Sequence, residues 1–162
     1  MRHPRRARHT EHGADVNDTF PDRPLDLALT AMRVAVGLAY FSHGAQKLFG
    51  WFGGFGRDGG TADLMTEFGA AGVIESAAGA LLVIGLFTRP AAFIASGEMA
   101  VAYFWKHVAR EGDLWWWQNG GELVMIFSFV WLFFAVRGAG PYSLDAWWKT
   151  RRGVAASGDP AT

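Results

Sequence analysis

LVMIFSFVWLFFAV (residues 123–136) and LLVIGLF (residues 81–87) leave no polar face when they are drawn as helices. A helix that is apolar all round is either deeply buried or in contact with lipid. These two runs belong to four apolar segments, which cover about residues 25–49, 69–87, 90–106 and 119–136. Helices of about 17 to 25 residues extend roughly 26 to 37 Å, and a bilayer has a hydrocarbon core of about 30 Å. The sequence therefore predicts an all-α integral membrane protein that folds as a four-helix bundle.

Composition excludes several classes of site. The 162 residues include 15 Lys and Arg, 15 Asp and Glu, and no cysteine. This balance provides no basic excess of the kind that nucleic acid binding requires. Without cysteine the chain cannot build an iron–sulfur cluster, a Cys-ligated zinc site or a thiol nucleophile. We therefore expect no nucleic acid partner, no metal site and no intrinsic cofactor, and a redox role would depend on a membrane quinone or on a partner that carries the electrons.

Charged residues are concentrated at the two ends and in the loops. Residues 1–24 are predicted to be a disordered cytoplasmic arm, residues 25–148 the membrane domain, and residues 149–162 a disordered cytoplasmic tail. With four crossings, both ends and the loop at 88–90 share one side, which has ten Lys and Arg against four on the other side. Basic residues favour the cytoplasmic side. Both termini are therefore predicted in the cytoplasm, for a multi-pass protein of the bacterial inner membrane.

Small residues recur at every fourth position in three of the segments, where they allow helix backbones to approach closely in lipid. The three predicted contact stripes are Ala31, Ala35 and Ala39, then Gly72, Ser76 and Ala80, and then Ala92, Ser96 and Ala100.

Ionisable residues inside the segments are the candidate functional residues, because a charge at mid-bilayer costs about 2.5–3.5 kcal/mol. Arg33 and Glu98 lie at similar distances from the cytoplasmic ends of their segments, which predicts a structural ion pair. Nearer the outer face, a second polar cluster is predicted from His43, Lys47, Glu75, Asn119 and Glu122.

The first segment also carries a polar seam, since its polar and glycine positions recur at helical spacing on one face: Arg33, Gly37, Tyr40, Gly44 and Lys47. We predict that the outer cluster shares an exchangeable proton. Its predicted catalytic, proton-handling residues are Glu75, Glu122 and His43, and its predicted ligand-binding residues are His43, Lys47, Tyr40 and Asn119. The alternative is a static polar network that only fixes how the helices pack.

Three further interpretations concern histidine and tryptophan. A bis-histidine haem would need His43 and His107 on facing helices, but His107 is predicted to point away from the interior, about half a helical turn from Glu98. A metal could be bound by His3, His9 and His12, although an Arg-rich arm is more typical of a solvated segment. The run at residues 115–117 could stack on a ligand, but tryptophan at a segment end is typical of interfacial anchoring.

Four motifs follow in order along the chain: HGAQKLFGWFGGFG at 43–56, E-x-x-x-G-x-L-L-x-x-G-L-F-T-R at 75–89, NGGE at 119–122 and GAGPYSLDAWW at 138–148. Together with Arg33, they resemble the DoxX family of small four-helix bacterial membrane proteins, over about residues 30–148. The resemblance implies a relation to the small subunit of a terminal quinol oxidase or thiosulfate:quinone oxidoreductase, and to membrane complexes with soluble sulfur-transfer or oxidative-stress enzymes. The polar positions that match are Arg33, His43, Lys47, Glu75, Asn119 and Glu122.

Three functions are consistent with these patterns. The first is a quinone-interacting small subunit of a membrane oxidoreductase complex, without an electron-carrying cofactor of its own. The second is a non-catalytic membrane scaffold for soluble redox or oxidative-stress enzymes, and the third is a small proton-coupled transporter. The expected partners are membrane lipid, redox enzyme subunits and further copies of the chain.

Overall fold

The computed structural model describes residues 23–157, of which 78% are helical and none is in a strand. The all-α part of the prediction is confirmed. The elements, in chain order, are α1 (Arg23–Phe49), a 3-10 turn (Trp51–Gly53), α2 (Glu67–Ile84), α3 (Thr88–Ala102), a π-helical segment (Tyr103–Val108), α4 (Ala109–Glu111), α5 (Trp116–Asn119), α6 (Glu122–Arg137) and α7 (Leu144–Ser157).

Helices α1 and α2 are long and apolar enough to cross a membrane. Helix α6 is apolar throughout but has only 16 residues. Helix α3 has 15 residues, and the π-helical segment extends it. The helical elements thus coincide with the four apolar segments of the sequence.

The α2–α3 hairpin depends on how α2 ends and on how α3 begins. Helix α2 ends at Gly85, which adopts a left-handed conformation (φ 68°) that glycine accommodates without strain. Helix α3 begins at Thr88, and the backbone N–H groups of Phe87 and Thr88 donate to the carboxylate of Asp145 at 2.8 and 2.9 Å. A residue near the start of α7 therefore caps α3.

Helices α1 and α2 cross at glycine. A Cβ atom on Gly44 would overlap the backbone and side chain of Ser76, and one on Gly79 would lie 2.7 Å from the backbone nitrogen of Phe41. The predicted seam of α1 is the buried face, since Arg33, Gly37, Tyr40 and Gly44 are all buried.

The alanine stripe predicted on α1 is wrong, because Ala31, Ala35 and Ala39 are exposed. The reason is that glycine permits closer approach than alanine, and the polar residues of the seam must turn inward. The small-residue stripe predicted on α3 does lie against a neighbouring helix, since Ala92 and Ser96 are buried. The hydroxyl of Ser96 donates to the carbonyl of Ser128 on α6 at 2.8 Å.

All four long helices contribute to one core. Helix α1 packs along α2, α3 packs along α6, and α2 contacts α3. The rings of Tyr40 and Trp131 lie 5.4 Å apart between centroids, and those of Tyr40 and Phe127 lie 5.8 Å apart. This aromatic group joins α1 to α6 through the centre of the core.

Helix α7 differs from the prediction of a disordered tail, because residues 149–157 continue it. The guanidinium of Arg151 lies 4.3 Å above the ring of Trp147, and that of Arg152 lies 4.8 Å above Trp148. Residues four apart are neighbours on the surface of a helix, so these contacts fit the helical geometry of α7. The rest of the predicted tail, the predicted arm before residue 23, and with it the three arm histidines, lie outside the described residues.

Candidate functional site

A cavity of about 570 Å³ lies between α2 and the helix formed by α3 and the π-helical segment; we call it the α2–α3 cavity. Its wall is mostly apolar, with Phe68, Ile74, Phe93, Ile94, Val101 and Trp105 among the lining residues. Phe93 and Trp105 are 68% and 62% exposed, so the cavity opens toward the apolar exterior of the molecule. The volume falls within the range of small-molecule sites.

Two of the predicted site residues meet in this cavity. The ammonium Nζ of Lys47 lies 2.5 Å from Oε2 of Glu75, and the exposed fractions of the two side chains are 14% and 5%. Lys47 lies in the last turn of α1, and it also donates to the carbonyl of His43 at 3.4 Å. Gly72 lies one turn before Glu75, and a Cβ atom there would lie 3.0 Å from Cβ of Lys47, so glycine permits the close approach of α1 and α2 beside this pair.

Glu98 is the second carboxyl group of the cavity. Its Oε2 accepts a hydrogen bond from the Tyr40 hydroxyl at 2.9 Å, and it forms no ion pair with any described residue. Glu98 is therefore a carboxyl group that a ligand in the cavity can reach and that no cation of the described chain neutralises by contact.

The predicted ion pair between Arg33 and Glu98 is wrong. The guanidinium of Arg33 donates to the carbonyls of Leu82 and Val83 in the last turn of α2, and to the carbonyl of Tyr142 at 2.8 Å. The last carbonyls of a helix lack partners within the helix and carry its partial negative charge. Arg33 thus satisfies the end of α2 and ties it to the loop before α7.

An axial offset explains why the two residues are apart. The first ten residues of α1 extend past the end of α2. Arg33, which follows them, is therefore level with the last turn of α2. Glu98 is ten residues into α3, and its partner Tyr40 lies about two turns beyond Arg33. Counting residues from the segment ends could not show this offset.

The other predicted site residues do not line the cavity. His43 is half-buried, with its ring edge toward Phe127. Asn119 is buried, but its amide donates to the carbonyl of Asp113 at 3.0 Å and accepts from the N–H of Gly121 at 2.8 Å. Glu122 is exposed in the first turn of α6, so the prediction that it joins the polar cluster is wrong. At a helix N-terminus a carboxylate is stabilised by the helix dipole and does not need an inward partner.

His107 was predicted to point away from the interior, yet it lines the cavity. Residues 103–108 are π-helical, and a π turn takes more residues per turn than an α turn. The side chain of His107 therefore points in a different direction from the one that an α-helical projection gives. Nδ1 of His107 lies 3.0 Å from the main-chain oxygen of Asn119, which fixes the orientation of the ring. No sequence pattern marked the π segment.

A second ion pair, between Lys106 and Glu67, also lines the α2–α3 cavity. Nζ of Lys106 lies 2.6 Å from Oε1 of Glu67, and 4.7 Å from the ring centroid of Phe68. Both charged side chains are partly exposed. With each lysine of the cavity bound to a glutamate, Glu98 is the carboxyl group left over. No group of three or more His, Asp or Glu side chains in residues 23–152 is arranged to hold a metal ion.

Comparisons with known proteins identify the family. The DoxX family model matches residues 28–108, a range that contains every residue of the cavity except Val124. An uncharacterized protein of Haemophilus influenzae is 43% identical over 132 residues, which cover 80% of this chain and 96% of that protein. No solved structure matches the chain significantly. The chain therefore belongs to the DoxX family, whose members are associated with membranes.

Proposed function

We propose that the protein is a quinone-interacting small subunit of a membrane oxidoreductase complex, and that the α2–α3 cavity takes the quinone. The observation that carries the proposal is the makeup of this cavity. Lys47, Glu75 and Glu98 line it together, and the remaining wall is predominantly apolar and opens sideways between two helices. Such a site suits a ligand with a polar ring and a long hydrocarbon tail.

The polar groups match both redox states of a quinone. The Lys47 ammonium donates hydrogen bonds and suits a quinone carbonyl, whereas a carboxylate of Glu75 or Glu98 accepts one and suits a quinol hydroxyl. The tail would lie along Phe93 and Ile94 toward lipid. Since the chain has no cysteine, the electrons would come from a partner subunit. The role of this chain is then to bind and orient the quinone and to exchange its protons.

The proposed arrangement in the membrane is four crossings, with both termini in the cytoplasm of the bacterial inner membrane. The crossings would be α1, α2, α3 with the π-helical segment, and α6. The large exposed apolar side chains support this arrangement: Phe93, Phe129 and Val136 are 68%, 63% and 70% exposed. An apolar surface of this extent is rare on a soluble monomer.

Site-directed labelling of introduced cysteines tests this arrangement. Because the sequence contains no native cysteine, only the introduced residue reacts with the label. Asp58→Cys lies in the exposed α1–α2 loop, and Thr150→Cys lies on the exposed part of α7. A membrane-impermeant maleimide is expected to label Asp58→Cys in spheroplasts, and Thr150→Cys only after the membrane is opened. The reverse pattern, or labelling of both sites in closed spheroplasts, would contradict the proposed topology.

Quinone content tests the function. The full chain is purified in mild detergent and extracted with organic solvent, and the quinone is quantified by mass spectrometry. Gly97→Leu is expected to lower bound quinone about tenfold or more, which corresponds to about 1.4 kcal/mol. Gly97 lines the cavity and a Cβ there meets no atom within 4 Å, so a side chain can start at this position and extend into the cavity. Glu98→Gln keeps the shape of the side chain and removes its charge. This variant is expected to lower the amount of bound quinone severalfold.

Glu122→Gln is the matched control, because it neutralises an exposed glutamate outside the cavity. It is expected to retain the quinone content of the unmodified protein. Quinone no more abundant than in bulk lipid, or equal amounts in Gly97→Leu and the unmodified protein, would contradict the proposal and favour the scaffold function.

A specific observation favours quinone binding over transport along the seam of α1. Transport would need a continuous polar path past Gly37 and Arg33. A Cβ atom on Gly37 would lie 3.0 Å from the Val83 side chain, so the helices are already in contact at that level. The donors of Arg33 are engaged by three carbonyls. These contacts are typical of a packed interface between helices.

A further inference from the structure

A second cavity, of about 540 Å³, lies where the α2–α3 hairpin, the α6–α7 loop and α7 meet. We call it the hairpin cavity. It shares no lining residue with the α2–α3 cavity. The residues that matter for its chemistry are Thr88, Arg89, Arg137, Asp145 and Lys149.

Basic side chains outnumber acidic ones in the hairpin cavity. Arg89, Arg137 and Lys149 come from three different elements, and none of them forms an ion pair or side-chain hydrogen bond with a described residue. Asp145 is the acidic residue of the lining, and its two oxygens accept the N–H groups of Phe87 and Thr88. The cavity therefore has an excess of positive charge for which the described chain supplies no counterion.

The N-terminal end of α3 adds partial positive charge at this cavity. Thr88 lines the cavity and is the first residue of this helix of 15 residues. Its hydroxyl has no hydrogen-bond partner among the described residues, but the side chain is fully buried, so the hydroxyl does not face the cavity.

The surroundings indicate the depth of the cavity in a membrane. Trp147 and Trp148 on α7 are 53% and 41% exposed, and each lies beneath an arginine guanidinium. Exposed tryptophan beside basic residues is typical of the membrane interface. Basic pockets between helices at this level bind the headgroups of anionic lipids.

We propose that the hairpin cavity is an anion site that binds a phosphate group, supplied either by the headgroup of an anionic phospholipid or by free phosphate. Arg89, Arg137 and Lys149 contact the phosphate. The proposal is independent of quinone binding, because the two cavities have no residue in common.

The test uses the full chain, purified in mild detergent and stripped of lipid. Phosphatidylglycerol and, separately, phosphatidylcholine are added and their retention is measured by native mass spectrometry; inorganic phosphate is titrated by calorimetry. Arg89→Gln combined with Arg137→Gln is expected to lower phosphatidylglycerol retention or phosphate affinity about tenfold or more. The control combines Arg57→Gln with Arg110→Gln, which removes two exposed cations outside the cavity, and is expected to bind as the unmodified protein does.

The two arms distinguish the source of the phosphate. If the double arginine variant loses only phosphatidylglycerol binding, the site belongs to a lipid headgroup. If it loses inorganic phosphate binding, the site belongs to a free anion. Equal effects of the cavity and control variants on both probes would overturn the proposal.

Lys149→Gln provides a second variant in case the double substitution prevents folding. Lys149 lines the cavity and is exposed on α7, so its replacement is expected to leave the fold intact. Binding of the phosphate probe is expected to fall severalfold. A Lys149→Gln protein that binds both probes as tightly as the unmodified protein would contradict a role of this lysine in the site.

Discussion

Arg33→Met is expected to lower the free energy of unfolding by about 3 kcal/mol or more, since hydrogen bonds to charged groups contribute about 1.5–3 kcal/mol each and lost partners leave buried groups unsatisfied. Arg33 is 1% exposed, and its guanidinium donates to the carbonyls of Leu82, Val83 and Tyr142. Methionine fills much of the same volume but donates no hydrogen bond. Three carbonyls would then lose a donor, and one of them belongs to Leu82, which is fully buried.

The measurement is denaturant unfolding of the detergent-solubilised protein, followed by tryptophan fluorescence. Arg110→Met is the control, because the Arg110 side chain is 80% exposed and its removal costs little. Arg33→Lys is expected to be intermediate, since an ammonium keeps the charge but lacks the planar fork that spans several acceptors. Equal stability of Arg33→Met and the control would show that Arg33 does not cap α2.

The effect of Arg33 is expected to extend to α7. The carbonyl of Tyr142 belongs to the loop before α7, and the N–H of Asp145 donates to the carbonyl of Gly85 at 2.9 Å. A side chain on Gly85 would also collide with Ser143 and with the Arg33 guanidinium. The end of α2, the start of α3 and the start of α7 therefore form one bonded unit with Arg33 at its centre.

Gly44→Leu is expected to have a comparably large effect, a loss of about 3 kcal/mol or more, because overpacking a tight contact costs about 1–3 kcal/mol and rises when backbone must move. A Cβ atom on Gly44 would overlap the backbone nitrogen and hydroxyl of Ser76 and would lie 2.9 Å from the carbonyl carbon of Glu75. Helix α2 cannot give way by rotating a side chain, so the two helices must separate. Gly44→Ala is expected to show a smaller loss in the same direction.

Separation of α1 from α2 would also disturb the α2–α3 cavity, since Lys47 follows Gly44 by one turn and Glu75 precedes Ser76. We therefore expect Gly44→Leu to lose bound quinone together with stability. Gly97→Ala is the matched control in a helix: its Cβ meets nothing within 4 Å, and alanine is favoured over glycine by up to about 1 kcal/mol. Unfolding curves in which both glycine variants behave alike would show that the close approach at Gly44 is not needed.

Several features of the candidate site were predictable because helical periodicity is a local property. Arg33, Gly37, Tyr40 and Gly44 recur at helical spacing, and they form the buried face of α1. Lys47 and Glu75 were expected in one polar cluster, and they form an ion pair. An ionisable residue in an apolar helix must face inward to find a partner, and that requirement alone selected them.

Other features depended on contacts that no local pattern encodes. The partner of Arg33 depends on the axial offset of α1 against α2. The position of His107 depends on the π-helical segment. Glu122 is exposed because it lies in the first turn of α6, where the helix dipole stabilises a carboxylate. None of these follows from the spacing of residues within one segment.

By itself, the sequence determined that the chain is all-helical, that its four apolar segments form helices, that the polar seam of α1 is buried, and that the protein belongs to the DoxX family. Only the tertiary structure decided that Arg33 caps α2, that Glu98 bonds with Tyr40, and that Glu75 and Glu98 line one cavity. The physical reason is that periodicity specifies the direction of a side chain about its own helix axis. The height and rotation of one helix relative to the next are set by packing between residues far apart in the chain, such as Gly44 against Ser76.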